Sequence, residues 1–311
     1  VKRSSIGLKA ELDESRQRFF FWLGCLFWGL VLTVLILRDP FWRILHRERL
    51  VSPVSQAASG WVQLDKHLIE RLSRTKVEPV EGLESLENAI ADALQSRRAA
   101  EGSGQGTARS PVVISQRLRD LARARAARRL EMDATKEIGE PELLYPELHL
   151  SLLTPGRLIR SEDVFQRLPA AAPPTASLGG ELVSGWMNRL GFGSLVRDGV
   201  KLEVGVGVVP SPGGGGLAEV LIVETVADLD KPLPAVVKQE EAVEIAGRCT
   251  DGEKVELFFK RPADPGFSPL KGGCSGNRFG FRLTWDGGPG GYSLRMSRGE
   301  RLSDPRPVFV E

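Results

Sequence analysis

Histidine is scarce in this chain: His46, His67 and His149 are the only three in 311 residues. A metal centre or a Ser-His-Asp triad in the C-terminal two thirds would depend on His149 alone. Cysteine is equally rare, at Cys25, Cys249 and Cys274, and no C-x-x-C occurs. G-x-x-x-x-G-K-[ST], H-E-x-x-H and G-x-S-x-G are absent too, which removes the best-defined nucleotide, zinc-protease and serine-hydrolase signatures. Charge of one sign is also lacking. The 42 basic and 40 acidic side chains leave +2, so whole-chain charge favours neither nucleic acid nor an acidic substrate as partner. The glycine clusters GSGQG and GGGG have no strand before and helix after them, and read as flexible loops rather than phosphate cradles.

One long uncharged run is present. Residues 19–37, FFFWLGCLFWGLVLTVLIL, would span roughly the 30 Å hydrocarbon core of a bilayer as a helix. Phe19 and Trp22 at one end, and Phe41 and Trp42 beyond the other, fit interfacial aromatic belts. No small-residue cleavage site follows, so the run reads as an uncleaved signal anchor rather than a signal peptide. Basic residues flank it on both sides with a slight excess before it, which places 1–18 in the cytoplasm. The expected order is then a stalk over 38–80, a helical and mixed domain over 81–230, and a small all-β domain over 235–311.

Within the first domain, Leu83, Leu86, Ile90 and Leu94 mark a helix ending near Gly102. Ile114 to Ala134 predicts a second helix, with Ile114, Leu118, Leu121 and Met132 on one face. Six arginines lie between Arg117 and Arg129, and most read as a solvated flank. Arg125 is the exception, because its projected angle falls near the middle of the apolar face. It must reach out to water along its stem or meet a carboxylate inside. Residues 135–180 carry six prolines and no clear period, so only short helices and loops are expected there. WMNRLGFGSLV, from Trp186, predicts a helix with Trp186 and Met187 turned inward and a turn broken by glycines. KLEVGVGVV and LAEVLIVETV predict a hairpin closed by PSPGGGG, with Gly205 and Gly207 leaving room for close packing on one strand face. After a proline-stiffened linker at 230–234, short apolar runs between turns predict an antiparallel sandwich. Cys249 and Cys274 permit a disulfide there; two buried thiols are the alternative.

QSRRAAEG from Gln95, LARARAARRLEM, and WMNRLGFGSLV followed by VGVGVV together resemble the bacterial branch of the CAP superfamily, the cysteine-rich secretory and pathogenesis-related-1 proteins. The resemblance covers roughly residues 83–228. It implies an α-β-α sandwich with a cleft that relatives line with histidines and glutamates. Where relatives have histidine in the second helix this chain has Arg125, and Gly191-Phe192-Gly193 stands where they have Gly-His-Arg. The family's Gly-Glu-Asn is missing, with Ser161-Glu162-Asp163-Val164 the nearest match. The resemblance therefore implies the fold without the metal: a degenerate cleft holding Arg125, Glu162 and Phe192, no catalytic or metal-ligating residue, and no cofactor.

The expected fold class is α+β: a transmembrane helix, a CAP-like α-β-α sandwich and a small Ig-like sandwich. The expected role is a non-catalytic protein, anchored in a bacterial inner membrane with most of the chain in the periplasm, contacting other envelope proteins. A cell-wall or peptide hydrolase is the first alternative, drawing on His149 or on carboxylates among Glu140, Glu142, Glu147, Glu162 and Asp163, of which spacing singles out no pair. The second is a lipid binder with an apolar cavity bounded by Trp186, Met187 and Phe192.

Overall fold

A computed structural model describes residues 65–102, 110–135, 143, 145–170 and 176–311, all within one compact unit. The span 19–37 with Phe19, Trp22, Phe41 and Trp42, most of the stalk, and the GSGQG loop lie outside the described residues. No helix among the described residues is long and apolar enough to cross a membrane. Those residues form six helices and thirteen strands, a mixed α and β protein.

The first layer is a four-stranded sheet in the order β1-β3-β4-β2, made of Val113–Ile114, Arg157–Leu168, Leu202–Pro210 and Gly216–Asp228 for β1 to β4. Strands β3, β4 and β2 are antiparallel, and β1 joins β3 in parallel. Helix α3, Gln116–Thr135, covers one face, and α2 (Glu84–Gly102), α5 (Ala176–Met187) and α6 (Leu190–Asp198) cover the other. The Val-Gly alternation of β3 explains the asymmetry. Val204, Val206 and Val208 fill the core with Trp186 and Phe192, while a Cβ on Gly205 or Gly207 would lie 2.0 Å from the Leu118 carbonyl carbon or 2.2 Å from the Arg123 nitrogen of α3. The two glycines let a helix backbone lie directly on the sheet.

Three local expectations are corrected. Ile114 belongs to β1, not to the following helix, which starts at Gln116 after Ser115. The break in WMNRLGFGSLV falls at Asn188-Arg189, so Gly191 and Gly193 sit inside α6; a Cβ on Gly193 would be 2.2 Å from the Met187 carbonyl oxygen. The 135–180 stretch holds a short helix as expected, α4 (Pro146–Leu153), but also the unexpected twelve-residue strand β2. Strand β2 hides from a periodicity search because it lies at the sheet edge and carries charged side chains on both faces.

The second layer is a two-sheet sandwich. One sheet runs β6-β10-β9 (Val243–Arg248, Arg278–Leu283, Gly273–Ser275). The other runs β5-β13-β11-β7-β8, with β12 beside β11 (Val236–Val237, Arg306–Val310, Gly290–Arg298, Val255–Lys260, Ser268–Leu270, Arg301–Leu302). Alternating residues point inward, as in β10, whose Phe279, Phe281 and Leu283 are buried between exposed neighbours. Phe259 stacks on Tyr292 at 5.3 Å, and Trp285 meets Tyr292 edge-on at 5.2 Å.

The two layers share a seam. Segment 230–234, expected as a linker, is pinned on both sides: Asp230 donates its N–H to the Ala246 carbonyl at 2.9 Å, and Leu233 donates to that of Pro155 at 2.7 Å. Leu158 and Ala227 from β2 and β4 enter the sandwich core. Helix α1, Lys66–Arg74, is capped by the Asp65 carboxylate, and buries Ile69 and Leu72 against Leu152 of α4, with Phe309 of β13 packed alongside.

Candidate functional site

Arg125 is 2 % exposed and meets carboxylates inside the fold. Its Nε donates to Glu219 on β4 at 2.5 Å and a terminal nitrogen to Asp163 on β2 at 2.9 Å. One helical turn on, Arg129 donates to the same two carboxylates at 2.9 and 3.0 Å, with its guanidinium 4.0 Å above the Phe165 ring. Two cations and two anions thus form a closed ring. Burial alone would lower the Arg125 pKa, but Glu219 and Asp163 outweigh it and raise it above the ordinary arginine value.

Arg119 and Arg123 leave the solvated flank expected, whereas Arg117 stays exposed on it. Arg123 grips fully buried Glu87 of α2 through two nitrogens, at 2.7 and 2.6 Å, and Arg119 reaches Asn88 at 3.0 Å. Arg117 donates to the Leu153 carbonyl at 2.6 Å. Packing directly against the sheet, the helix lies within reach of α2 on one flank and α4 on the other.

Arg125, Glu162 and Phe192 do not share a cleft. Asp163, paired with Leu221, faces α3 and Arg125, whereas Glu162, paired with Ile222, points to the opposite face. There its carboxylate lies against Gly191, where a Cβ would be 2.2 Å from Oε1. Phe192 is core on that same side, 6.3 Å from Trp186 edge-on. Strand alternation separates the cation from the phenyl ring by the thickness of the sheet.

A second group of carboxylates surrounds the free edge of β2. Asp304, in the turn before β13, accepts from the Ser161 N–H at 2.7 Å and the Ser161 hydroxyl at 2.6 Å, while its own N–H donates to the Ile159 carbonyl at 2.7 Å. Glu147, in the first turn of α4, and Glu162 complete the group, with Arg160 of β2 and Arg295 of β11 as the facing cations. Burial, followed by Asp304, Asp163 and Glu162, pushes Glu147 up to about 8. Burial and Asp304 push Glu162 to about 7. Asp304 rises to about 6, chiefly by burial, against the pull of its Ser161 hydrogen bonds.

His149 is 1 % exposed, with neither ring nitrogen partnered among the described residues. Burial, then Arg125 and Arg128, hold it down to about 3, so it stays neutral. Among the described residues, no three His, Cys, Asp or Glu side chains are placed to hold a metal. Cys249 and Cys274 are joined by a disulfide at the sandwich end of the molecule. A cleft of about 380 Å³ opens elsewhere, between Thr75, Val77, α3 and α4, floored by Leu118, Leu121, Leu150 and Leu153; none of the carboxylates around the β2 edge lines it.

No family model and no curated protein matches the chain. Solved structures do match. An outer surface protein from Borrelia burgdorferi aligns at 9 % identity and a TM-score of 0.34, over 48 % of this chain and 99 % of its own. An uncharacterized protein from Bacillus anthracis str. Ames aligns at 16 % and 0.19, over 24 % of this chain and 76 % of its own. The paired Ig domains of DIP-gamma align at 10 % and 0.14, over 34 % and 70 %. Scores this low carry no functional argument.

Glu219, Glu87 and Asp304 were missed as site residues. Glu219 was findable, because it and Glu224 are the two charges in the apolar strand LAEVLIVETV, and Arg125 was a candidate for a buried carboxylate partner. Asp304 had no such signal: its partner is a backbone edge more than a hundred residues away.

Proposed function

We propose that the chain is a single-pass, bacterial inner-membrane protein whose CAP-like layer and Ig-like sandwich, both on the periplasmic side, act without catalysis in contacts with other envelope proteins. The single observation that carries this reading is the ring of Arg125, Arg129, Glu219 and Asp163. At the position where the CAP family has a cleft histidine, a buried guanidinium uses up the carboxylates a metal would need. A helix-covered sheet built of α2, α3, α5, α6 and β1–β4 supports the family likeness. The Cys249–Cys274 bond supports an oxidising compartment.

Zinc titration of the detergent-purified chain at neutral pH tests the reading. No binding at micromolar concentrations is expected; micromolar or tighter binding that is lost on changing Asp163 or Glu219 overturns it. Site-specific crosslinking from the sandwich surface in intact cells should then capture a defined envelope protein.

The hydrolase reading keeps one observation in its favour, the spread from about 8 at Glu147 to about 6 at Asp304, since an acid and a base need separated pKa values. A peptidoglycan or peptide cleavage assay that loses activity in Glu147→Gln would bring it forward. The lipid reading has none, because Trp186, Met187 and Phe192 are core residues.

A further inference from the structure

We propose that the Ser303–Pro305 corner is a proton-sensitive latch: with Glu147 and Glu162 neutral, Asp304 holds the β2 edge to the sandwich, and when both ionise the latch lets go. The geometry comes first. Strand β2 is the last in its sheet, and its outward N–H and C=O groups at Ser161 and Ile159 are taken by one residue, Asp304, through three hydrogen bonds of 2.6–2.7 Å. These bonds join the α/β layer to the sandwich at a polar point between apolar contacts on either side.

Charge around the latch is finely balanced. Asp163, on the α3 face of β2, also repels Glu147 but is itself matched by Arg125 and Arg129 of α3. His149 of α4 is neutral. That leaves Arg160 from β2, which also donates to Ser194 of α6 at 3.1 Å, and Arg295 from β11, set over the Phe267 ring at 5.2 Å. One anion on Asp304 against these two cations is stable. Three anions, on Asp304, Glu162 and Glu147, exceed them. The excess is half-buried, where repulsion is poorly screened. Ionisation of Glu162 and then Glu147 falls between neutral and mildly alkaline pH, so the latch responds to ordinary changes rather than extremes.

Opening would free the Ser161 and Asp304 amides without melting the apolar seam. Hydrogen exchange followed by mass spectrometry on the whole detergent-purified chain reads this directly, once each rate is divided by the intrinsic exchange rate at that pH. Peptides covering β2 and residues 302–306 should lose protection by about tenfold or more between pH 6.5 and 8.5, one pKa unit corresponding to a factor of ten. Peptides of β3, whose edge is closed by Glu87, serve as the internal reference and should not change. In Glu147→Gln/Glu162→Gln, a near-isosteric double variant, the pH response should vanish. Each single variant should retain part of it, which keeps the test decisive if the double variant folds poorly. A flat wild-type profile, or an unchanged response in the variants, would overturn the latch.

Discussion

Both edges of the four-stranded sheet are closed by a carboxylate from another element, by opposite electrostatic means. On the β3 side, where two-residue β1 runs out, Glu87 accepts the Val208 N–H at 3.0 Å, and Leu83 donates to the Val208 carbonyl at 3.0 Å. Glu87 is held by two nitrogens of Arg123, at 2.7 and 2.6 Å, a bidentate charge-assisted pairing. On the β2 side Asp304 plays the same part for Ser161 and Ile159, but its neighbours include two more carboxylates and only half-buried arginines. An unpaired strand edge invites foreign pairing, and both devices suppress it. The difference lies in permanence: a charge clamped by its counter-ion is structure, and a charge crowded by its own kind is adjustable.

The largest expected effect is on the permanent edge. Glu87→Ala leaves the Arg123 guanidinium with only exposed Glu84, at 3.2 Å, and strands the Val208 N–H, and should cost about 3–5 kcal/mol in urea unfolding, the range for breaking one side of a buried pair. Asp304→Ala leaves two donors of Ser161 unpaired next to water and should cost less, about 1–3 kcal/mol. If the order were reversed, the β2 edge would be the structural one and the contrast would fail. Gly205→Ala falls in the same range as Asp304→Ala and sharpens the geometry of the face rather than the edge. Its Cβ would meet backbone atoms of α3 that cannot rotate away, so overpacking of about 1–3 kcal/mol is expected, with no change in pH response.

The same contrast explains what the sequence disclosed. Helix α2, the β3–β4 hairpin and the strands of the sandwich stand out because each buries one periodic apolar set. The glycines of VGVGVV announced a close neighbour, and α3 is that neighbour. Arg125 stood out by its angle, which left a reach to water and a buried carboxylate both open, and the structure shows the carboxylates. Strand β2 gave no signal, since its residues are charged on both faces; Glu147 and Glu162 stood among the candidate carboxylates, but spacing paired neither with Asp304, which comes from the other layer. Arg125 and Phe192, adjacent by resemblance, lie on opposite faces for a reason no linear motif carries: one comes from α3 and the other from α6, with the sheet between.

The pH dependence sharpens the comparison further. Glu147 and Glu162 have folded pKa values of about 8 and 7 against an ordinary 4.5, so the folded chain binds more protons than the unfolded chain between these values. Stability from these groups is fully present below about pH 4.5 and is lost as pH rises to about 8. Unfolding midpoints should therefore fall from pH 6 to pH 8.5 in the wild type, with Glu87→Ala falling in parallel from its lower start, because it keeps both Glu147 and Glu162.

Glu147→Gln is the smallest expected change, and its sign is the most informative. Removing a carboxyl from a surface residue ordinarily changes stability by a few tenths of a kcal/mol in either direction. Here the glutamine fills the same space at the first turn of α4 but carries no charge to repel Asp304 and Glu162. It should leave stability unchanged only below about pH 4.5, where Glu147 is protonated in the folded and unfolded chain alike, and its advantage should grow as pH rises from there. At pH 8.5 it should raise stability by about 1 kcal/mol, the raised pKa discounted for the water that reaches a half-buried group. A variant less stable than wild type at pH 8.5 would mean that ionised Glu147 has a cationic partner, and the β2 edge would then be as permanent as the β3 edge.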